Sequence, residues 1–334
     1  MGYKRFFILC LSVLFLLSAC GKNENNEANE KDEETLTVYT TVYPLQYFSE
    51  RIGGSHVDVH SIYPAGADEH TFDPTQKDMM ALADADLFFY IGLGLEGFVE
   101  NAEKTLKNEH VKLIPTADLI PEEQLGEGHS HEDEEHGHDK HDGHEHDEGE
   151  HDGHGHESHL HDPHVWISPN LSIELATSIK EALIDAAPEA KEEFEKNFEQ
   201  LKEDLEQLDK KFQEMADEAP NKTFFVSHAA FGYLADRYGL DQVAVAGLNS
   251  QSEPSQKQLA ILVEEAKEKD IKFVLFEQNV SSKLTEVIRK EIGAESLTLH
   301  NLGVLTKEDV EHEETYFTLM EHNLETLRTA LSSE

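Results

Sequence analysis

The chain has 334 residues, of which 38% are hydrophobic, and its formal net charge is −42 with neutral histidine. This length suits two domains, because a domain commonly contains about 100–200 residues. The strong acidity excludes a nucleic-acid-binding protein, which needs a basic surface. Together with the 21 histidines of the sequence, it favours divalent cations as partners.

The N-terminal segment has the features of an export signal. Two basic residues precede an apolar run at 6–17, which is too short to span a membrane comfortably. The run ends in Leu17-Ser18-Ala19-Cys20, which resembles the lipobox of bacterial lipoproteins. We therefore expect a signal peptide at 1–19, lipidation of Cys20 and a flexible polar tether at 20–34. An ordinary secretory signal or an uncleaved anchor is the alternative.

Strands and helices alternate in the first half of the folded part. Four β-branched or apolar runs predict strands: TLTVYTTV, HVDVHS, LFFYIG and VKLIPTADL. Between them, one helix is predicted to begin near Pro44 and to stop at Gly53-Gly54, another to begin at about Thr75, and a third to cover LEGFVENAEKTL. This alternation predicts a parallel α/β unit.

A long amphipathic segment follows. From Asn170 to Met215 apolar residues recur at spacings of three and four, which predicts one long helix or two helices that meet at Pro188. The second half repeats the earlier alternation, with predicted strands in KTFFVSH, VAVAGLN, KFVLFEQ and SLTLHNL.

The expected fold class is therefore α/β, with two (β/α) lobes that each contain a mainly parallel sheet. The predicted lobes cover 35–180 and 220–334, and the predicted linking helix covers 181–219. Ligands of such folds commonly bind in the cleft between lobes, at the carboxyl ends of strands.

An acidic, histidine-rich insertion at 126–162 interrupts the first lobe. Twelve of the 21 histidines lie between His129 and His161, and short tracts of this kind are typical of metal binding. The alternatives are a solvated low-complexity loop or an expression tag. Composition leaves open whether the insertion is the main metal site or an accessory to it.

Four histidines outside the crowded tract lie in loops or at the ends of predicted strands. They are His70, His164, His228 and His300. A single histidine in such a position is more often structural, but two in each lobe could converge in the cleft. Four imidazole nitrogens suit zinc, whereas manganese and calcium prefer oxygen ligands. Copper and nickel are alternatives.

Several segments together resemble one known family. They are YPAGADEHTFDPTQKD, the insertion that ends in DPHVWISP, FFVSHAAFGYLADRYGL, and FEQNVSSKLTEVIRKEIG. Essentially the whole mature chain resembles the zinc-binding lipoproteins of bacterial metal-uptake ABC transporters, which are extracytoplasmic solute-binding proteins. The resemblance implies two α/β lobes bridged by one long rigid helix. It also implies capture of Zn²⁺ in the cleft and delivery to an ABC permease and its ATPase, without catalysis.

The resemblance places metal ligands at His70, His164 and His228. Manganese-binding members carry a carboxylate at the third of these positions, so His228 favours zinc. The fourth position falls on His300, with Glu69, Glu277 or a water as alternatives. The resemblance further implies a monomer anchored by Cys20 to the outer face of the cell membrane.

Other functions are alternatives. One is a manganese or other divalent-metal binding protein of the same transporter type, and another is a surface adhesin or a metal store. A zinc hydrolase would need an open coordination position and a general base. The sequence contains no HExxH motif, and Glu69 is the only acid directly beside a proposed ligand.

The resemblance implies that the insertion is a low-affinity collector that passes zinc to the buried site, or a sensor of plentiful metal, and that it does not form the tightest site. Deletion of residues 129–161 should therefore remove weak zinc-binding events and leave the tightest one, as measured by calorimetric titration. Loss of the tightest event on deletion would contradict an accessory role.

Overall fold

The computed structural model describes residues 35–126, 161–251, 254–278 and 282–332. The expected signal peptide, the tether with Cys20, and residues 127–160 of the insertion lie outside this part. Within the described residues, no helix is both long enough and apolar enough to cross a membrane.

The first sheet consists of four parallel strands in the order β2-β1-β3-β4. They are β1 (Leu36–Thr40), β2 (Val57–Ser61), β3 (Leu87–Tyr90) and β4 (Lys112–Pro115). Strand β3 is buried along its whole length, as is usual for a central strand of a parallel sheet that is covered on both faces.

Three helices connect these strands, and their ends follow from the sequence. They are α1 (Tyr43–Gly53), α2 (Gln76–Ala83) and α3 (Val99–Leu106). Pro44 lies in the first turn of α1, where its missing N–H costs no helical hydrogen bond. Gly54 ends α1 with a φ of 54°. Thr75 begins α2 with a capping box, as predicted.

The long amphipathic segment folds as two helices, α4 (Pro169–Ala186) and α5 (Lys191–Glu218). A 3₁₀ turn at Pro188–Ala190 separates them, because proline cannot continue the hydrogen bonding of α4. Of the two predicted arrangements, the pair of helices meeting at Pro188 is therefore the observed one. The linking helix begins at Lys191, later than the predicted start at 181.

The second sheet repeats the order of the first, as β6-β5-β7-β8, and is also parallel. Its strands are β5 (Thr223–His228), β6 (Asp241–Ala246), β7 (Phe273–Phe276) and β8 (Glu295–Thr298). The helices of this lobe are α6 (Gly232–Tyr238), α7 (Gln256–Glu268), α8 (Lys283–Ile292), α9 (Lys307–Glu311) and α10 (Tyr316–Ala330).

Helix α5 bridges the two lobes. At 28 residues it is about 42 Å long, and it packs against α1 and α4 on one side and against α6 and α10 on the other. Its buried face consists of Phe194, Phe198, Leu201, Leu205, Leu208, Phe212 and Met215. The predicted fold class is thereby confirmed. The larger of two hydrophobic clusters among the described residues extends through both lobes along this helix, and the smaller one lies within the second lobe.

A second connection between the lobes is the segment at residues 300–305, which follows β8 and which we call the joining segment. Its carbonyl groups accept hydrogen bonds from the first lobe: Tyr43 N–H donates to Gly303 O at 2.9 Å and Gly66 N–H to Leu305 O at 2.9 Å. The indole Nε1–H of Trp166 donates to Asn301 O at 2.7 Å. Backbone hydrogen bonds thus fix this part of the second lobe against the first.

The buried face of α5 should carry much of the stability of the protein. Leu205 is fully buried, so Leu205→Ala is expected to lower the free energy of unfolding by about 2–5 kcal/mol through lost burial and a new cavity. Gln207→Ala, on the exposed face of the same helix, should change it by less than about 0.5 kcal/mol. Chemical denaturation measures both, and equal effects would contradict a bridging role for this face.

Candidate metal centre

Three of the predicted ligands lie together between the lobes. His70 lies in the loop between β2 and α2, and His164 lies directly before the 3₁₀ turn Val165–Ile167 that leads into α4. His228 is the last residue of β5. The side chains of His164 and His228 are fully buried. One nitrogen from each ring lies within 4.8 Å of the other two.

The spacing of these nitrogens suits a tetrahedral metal ion. Nε2 of His164 lies 3.3 Å from Nε2 of His70 and 3.3 Å from Nε2 of His228. Nitrogens bound to tetrahedral zinc at about 2.0–2.1 Å lie about 3.3–3.4 Å from one another. The two separations that involve His164 therefore match those of a tetrahedral zinc site, and all three nitrogens lie within 4.8 Å of one another.

Carboxylates bind two of the rings at Nδ1, the nitrogen that does not face the cluster. Nδ1 of His164 lies 2.7 Å from Asp162 Oδ1, and Nδ1 of His228 lies 2.7 Å from Glu277 Oε1. Because a carboxylate accepts hydrogen bonds, each Nδ1 carries a proton and each Nε2 directs its lone pair toward the cluster. Several lone pairs facing one another in a buried space need a positive charge among them.

The electrostatics of His70 keep this ring neutral. Burial, and after it the charges of His164 and His228, lower the pKa of His70 to about 3. A neutral imidazole binds metal without first losing a proton.

His228 is in the opposite situation. Burial alone would lower its pKa, but the charges of Glu277, Glu69 and Asp162 and the hydrogen bond to Glu277 raise it above 6.5. Burial would likewise raise the pKa of Glu277, yet His228 and the hydrogen bonds from Ser227 and Asn301 hold it below its usual value. The contact between His228 Nδ1 and Glu277 Oε1 thus shifts the pKa of each group toward its charged form.

Two further carboxylates were predicted as alternative fourth ligands, and they differ in how they are held. Both oxygens of Glu277 accept hydrogen bonds: Oε1 from Ser227 and His228, and Oε2 from Asn301 at 2.8 Å. Glu69 is buried beside His70, and its Oε1 accepts from Asn301 at 2.9 Å. Burial raises the pKa of Glu69 to about 7.

His300 is not part of the cluster. Its Nε2 lies 3.1 Å from Asp309 Oδ2, and its Nδ1 accepts the backbone N–H of Leu302 at 2.9 Å. Both ring nitrogens therefore have partners within the second lobe, and the ring is directed toward α9. The expectation that His300 joins the other three histidines is thus corrected by the structure.

The insertion begins and ends beside this site. The N–H of Asp162 donates to Gly126 O at 3.1 Å. The hydroxyl of Tyr233, on α6, donates to Asp162 O at 2.7 Å and accepts from Gly126 N–H at 3.1 Å. Gly126 and Asp162 are thereby held together, and Asp162 lies two residues before His164.

Sequence reasoning missed two residues of the site. Asp162 belongs to the DPH motif, and a carboxylate two residues before a candidate ligand is a signal that could have indicated its role. Asn301 is 2% exposed and binds both Glu69 and Glu277, which are distant in sequence. No local pattern identifies such a contact.

Comparisons with known proteins agree with this arrangement. A family model described as "Zinc-uptake complex component A periplasmic" matches residues 38–330. The "High-affinity zinc uptake system protein ZnuA" of Bacillus subtilis is 36% identical over 329 residues, which make up 98% of each chain. The "Zinc-binding protein AdcA" of Streptococcus pyogenes is 37% identical over 299 residues, which make up 89% of this chain and 56% of AdcA. The chain thus spans little more than half the length of the AdcA relatives that it matches.

Solved structures show the same fold. Zn(II)-bound AdcA from Streptococcus pneumoniae superimposes with a TM-score of 0.71 at 34% identity, covering 90% of this chain and 58% of that one. The metal-dependent lipoprotein YcdH from Bacillus subtilis superimposes with a TM-score of 0.70 at 34% identity, covering 89% and 99%. The chain belongs to the family of the periplasmic zinc-uptake complex component A.

Proposed function

We propose that this protein binds Zn²⁺ through His70, His164 and His228 and supplies it to a membrane zinc importer. The observation that carries this proposal is the pair of 3.3 Å distances between Nε2 atoms in the buried cluster. A set of neutral nitrogen ligands favours zinc over manganese and calcium, which prefer oxygen. The names of the relatives, which include a zinc uptake system protein and Zn(II)-bound AdcA, support the same ion.

Glu69 is the best candidate for the fourth ligand. Glu277 already uses both oxygens to hold His228, Ser227 and Asn301, and His300 uses both nitrogens elsewhere. Glu69 directly precedes His70 in the chain and is buried, and its contact with Asn301 involves Oε1 and not Oε2. Its carboxylate lies outside the group of ring nitrogens that are within 4.8 Å of one another. A carboxylate oxygen is a normal zinc ligand.

The transport context extends this proposal. The protein acts outside the cytoplasm, anchored to the outer face of the membrane through a lipid on Cys20, and as a monomer it delivers zinc to an ABC permease with its ATPase. The lipobox-like sequence before Cys20 and the naming of pneumococcal AdcA as a zinc-binding lipoprotein support the anchor. Binding and delivery, without catalysis, suit a site whose histidines are buried between two lobes.

Removal of one cluster histidine should abolish the tight site. His164→Ala and His228→Ala are expected to lower zinc affinity by more than the roughly 10–100-fold that loss of a ligand's hydrogen-bond partner costs. His110→Ala is the matched control, because the His110 side chain is 60% exposed and its partner is Asp86. Competition with a chelator measures the tightest binding event of the full chain. An unchanged event in both cluster variants would refute the proposed site.

Zinc affinity should depend on pH through His228. Zinc must displace the proton that Glu277 stabilises on this ring, and the pKa of His228 lies above 6.5, so affinity is expected to fall as pH drops through a value above 6.5. Glu277→Gln removes the negative charge and lowers that pKa, which moves the fall to lower pH. Chelator competition between pH 5.5 and 8 measures the shift. A Glu277→Gln profile that coincides with wild type would contradict this coupling.

A further inference from the structure

Asn301 is the most completely hydrogen-bonded polar residue near the metal centre. Its Nδ2 donates to Glu69 Oε1 at 2.9 Å and to Glu277 Oε2 at 2.8 Å. Its Oδ1 accepts from Gln278 Nε2 at 2.8 Å and from Gly303 N–H at 3.0 Å. An amide fits here because only its nitrogen can donate to two carboxylates while its oxygen accepts from the other side.

Gly303 supplies the space that Glu69 occupies. A Cβ at position 303 would lie 2.6 Å from Glu69 Oε1, 2.7 Å from its Cδ and 3.2 Å from its Oε2. The backbone of Gly303 does not have the left-handed conformation that favours glycine, since its φ lies outside the positive range. The close approach of the Glu69 carboxylate is therefore the reason that a side chain does not fit.

The contact of Glu69 with Asn301 and Gly303 joins the two lobes next to the metal centre. Glu69 belongs to the first lobe, whereas Asn301 and Gly303 belong to the joining segment of the second. That segment is held against the first lobe by the hydrogen bonds from Tyr43 and Trp166. Asn301 and Gly303 thus form a site on the second lobe that accommodates the carboxylate of Glu69 from the first lobe.

We propose that Asn301 and Gly303 form a carboxylate seat that fixes the position of Glu69 relative to the three histidines and so sets the affinity of the metal centre. Asn301 and Gly303 are positioning residues, because they touch Glu69 and not the histidine cluster. Through its second Nδ2–H, Asn301 also connects the seat to the Glu277–His228 pair. This inference rests on the proposed function, in which Glu69 completes the zinc shell.

Gly303→Ala tests the seat with little risk to folding. The added methyl group meets the far end of a flexible side chain, so the Glu69 carboxylate should move while the backbone stays in place. Zinc affinity of the full chain is expected to fall about 10–100-fold, the range for loss of a ligand-orienting contact, with an unchanged melting temperature. Gly97→Ala is the matched control, since a Cβ there meets no atom within 4 Å, and it should leave affinity unchanged.

A double-mutant cycle identifies Glu69 as the residue through which Gly303 acts. Glu69→Gln should lower affinity by itself, and Gly303→Ala should then cause no further loss in the Glu69→Gln background. The visible absorption spectrum of bound Co²⁺, which reports the ligands of the ion, should change in the same way in Gly303→Ala and in Glu69→Gln. A purely structural role would produce additive losses and an unchanged spectrum.

Asn301→Asp provides an independent variant. It keeps the size of the side chain but replaces the donating Nδ2 with an oxygen, so that a third carboxylate faces those of Glu69 and Glu277. The affinity for zinc should therefore fall. If this variant does not fold, the test rests on Gly303→Ala alone.

The seat and the proposed function fail in different ways. A crystal structure of metal-free Gly303→Ala in which Glu69 still contacts Asn301 would overturn the seat, whether or not the protein binds zinc. Unchanged affinity in Gly303→Ala, or losses that add to those of Glu69→Gln, would also overturn it. The proposed function would fail instead if the wild-type chain had no tight zinc site, or if His164→Ala and His228→Ala retained it.

Discussion

The structure depends on holding mutually repelling imidazole lone pairs together in a buried space. The Nε2 atoms of His164 and of its two neighbours are 3.3 Å apart, and Asp162 and Glu277 keep two of the rings in the tautomer that brings the lone pairs inward. Lone pairs that face one another in this way repel, and in the proposed function a bound Zn²⁺ would remove that repulsion.

The fold supplies the rigidity that such a site needs. The three histidines come from different parts of the fold. His228 ends β5 and His70 lies in the loop after β2, at the carboxyl ends of parallel strands, where ligands of such folds bind. Helix α5 packs against helices of both lobes, and the joining segment adds backbone hydrogen bonds between them. The lobes are therefore connected at two separate places, by helix α5 and by the joining segment.

Much of this architecture could be predicted from the sequence, because strand and helix patterns are local. The two lobes and the positions of His70, His164 and His228 in loops or at strand ends followed from residue order, and the break at Pro188 was one of two arrangements that it allowed. The direction of a side chain beyond a strand end is not local. His300 faces Asp309 on α9, and Glu69 meets Asn301 more than 200 residues away in the chain. Periodicity and spacing carry no information about such contacts.

Hydrogen bonds among Gly126, Asp162 and Tyr233 hold the two ends of the insertion together, two residues before the candidate ligand His164. For a segment joined at both ends, a doubling of length adds only about 0.6 kcal/mol of closure entropy. An insertion of a different length could therefore be joined at these two ends at little cost in free energy, and the position of His164 would stay the same.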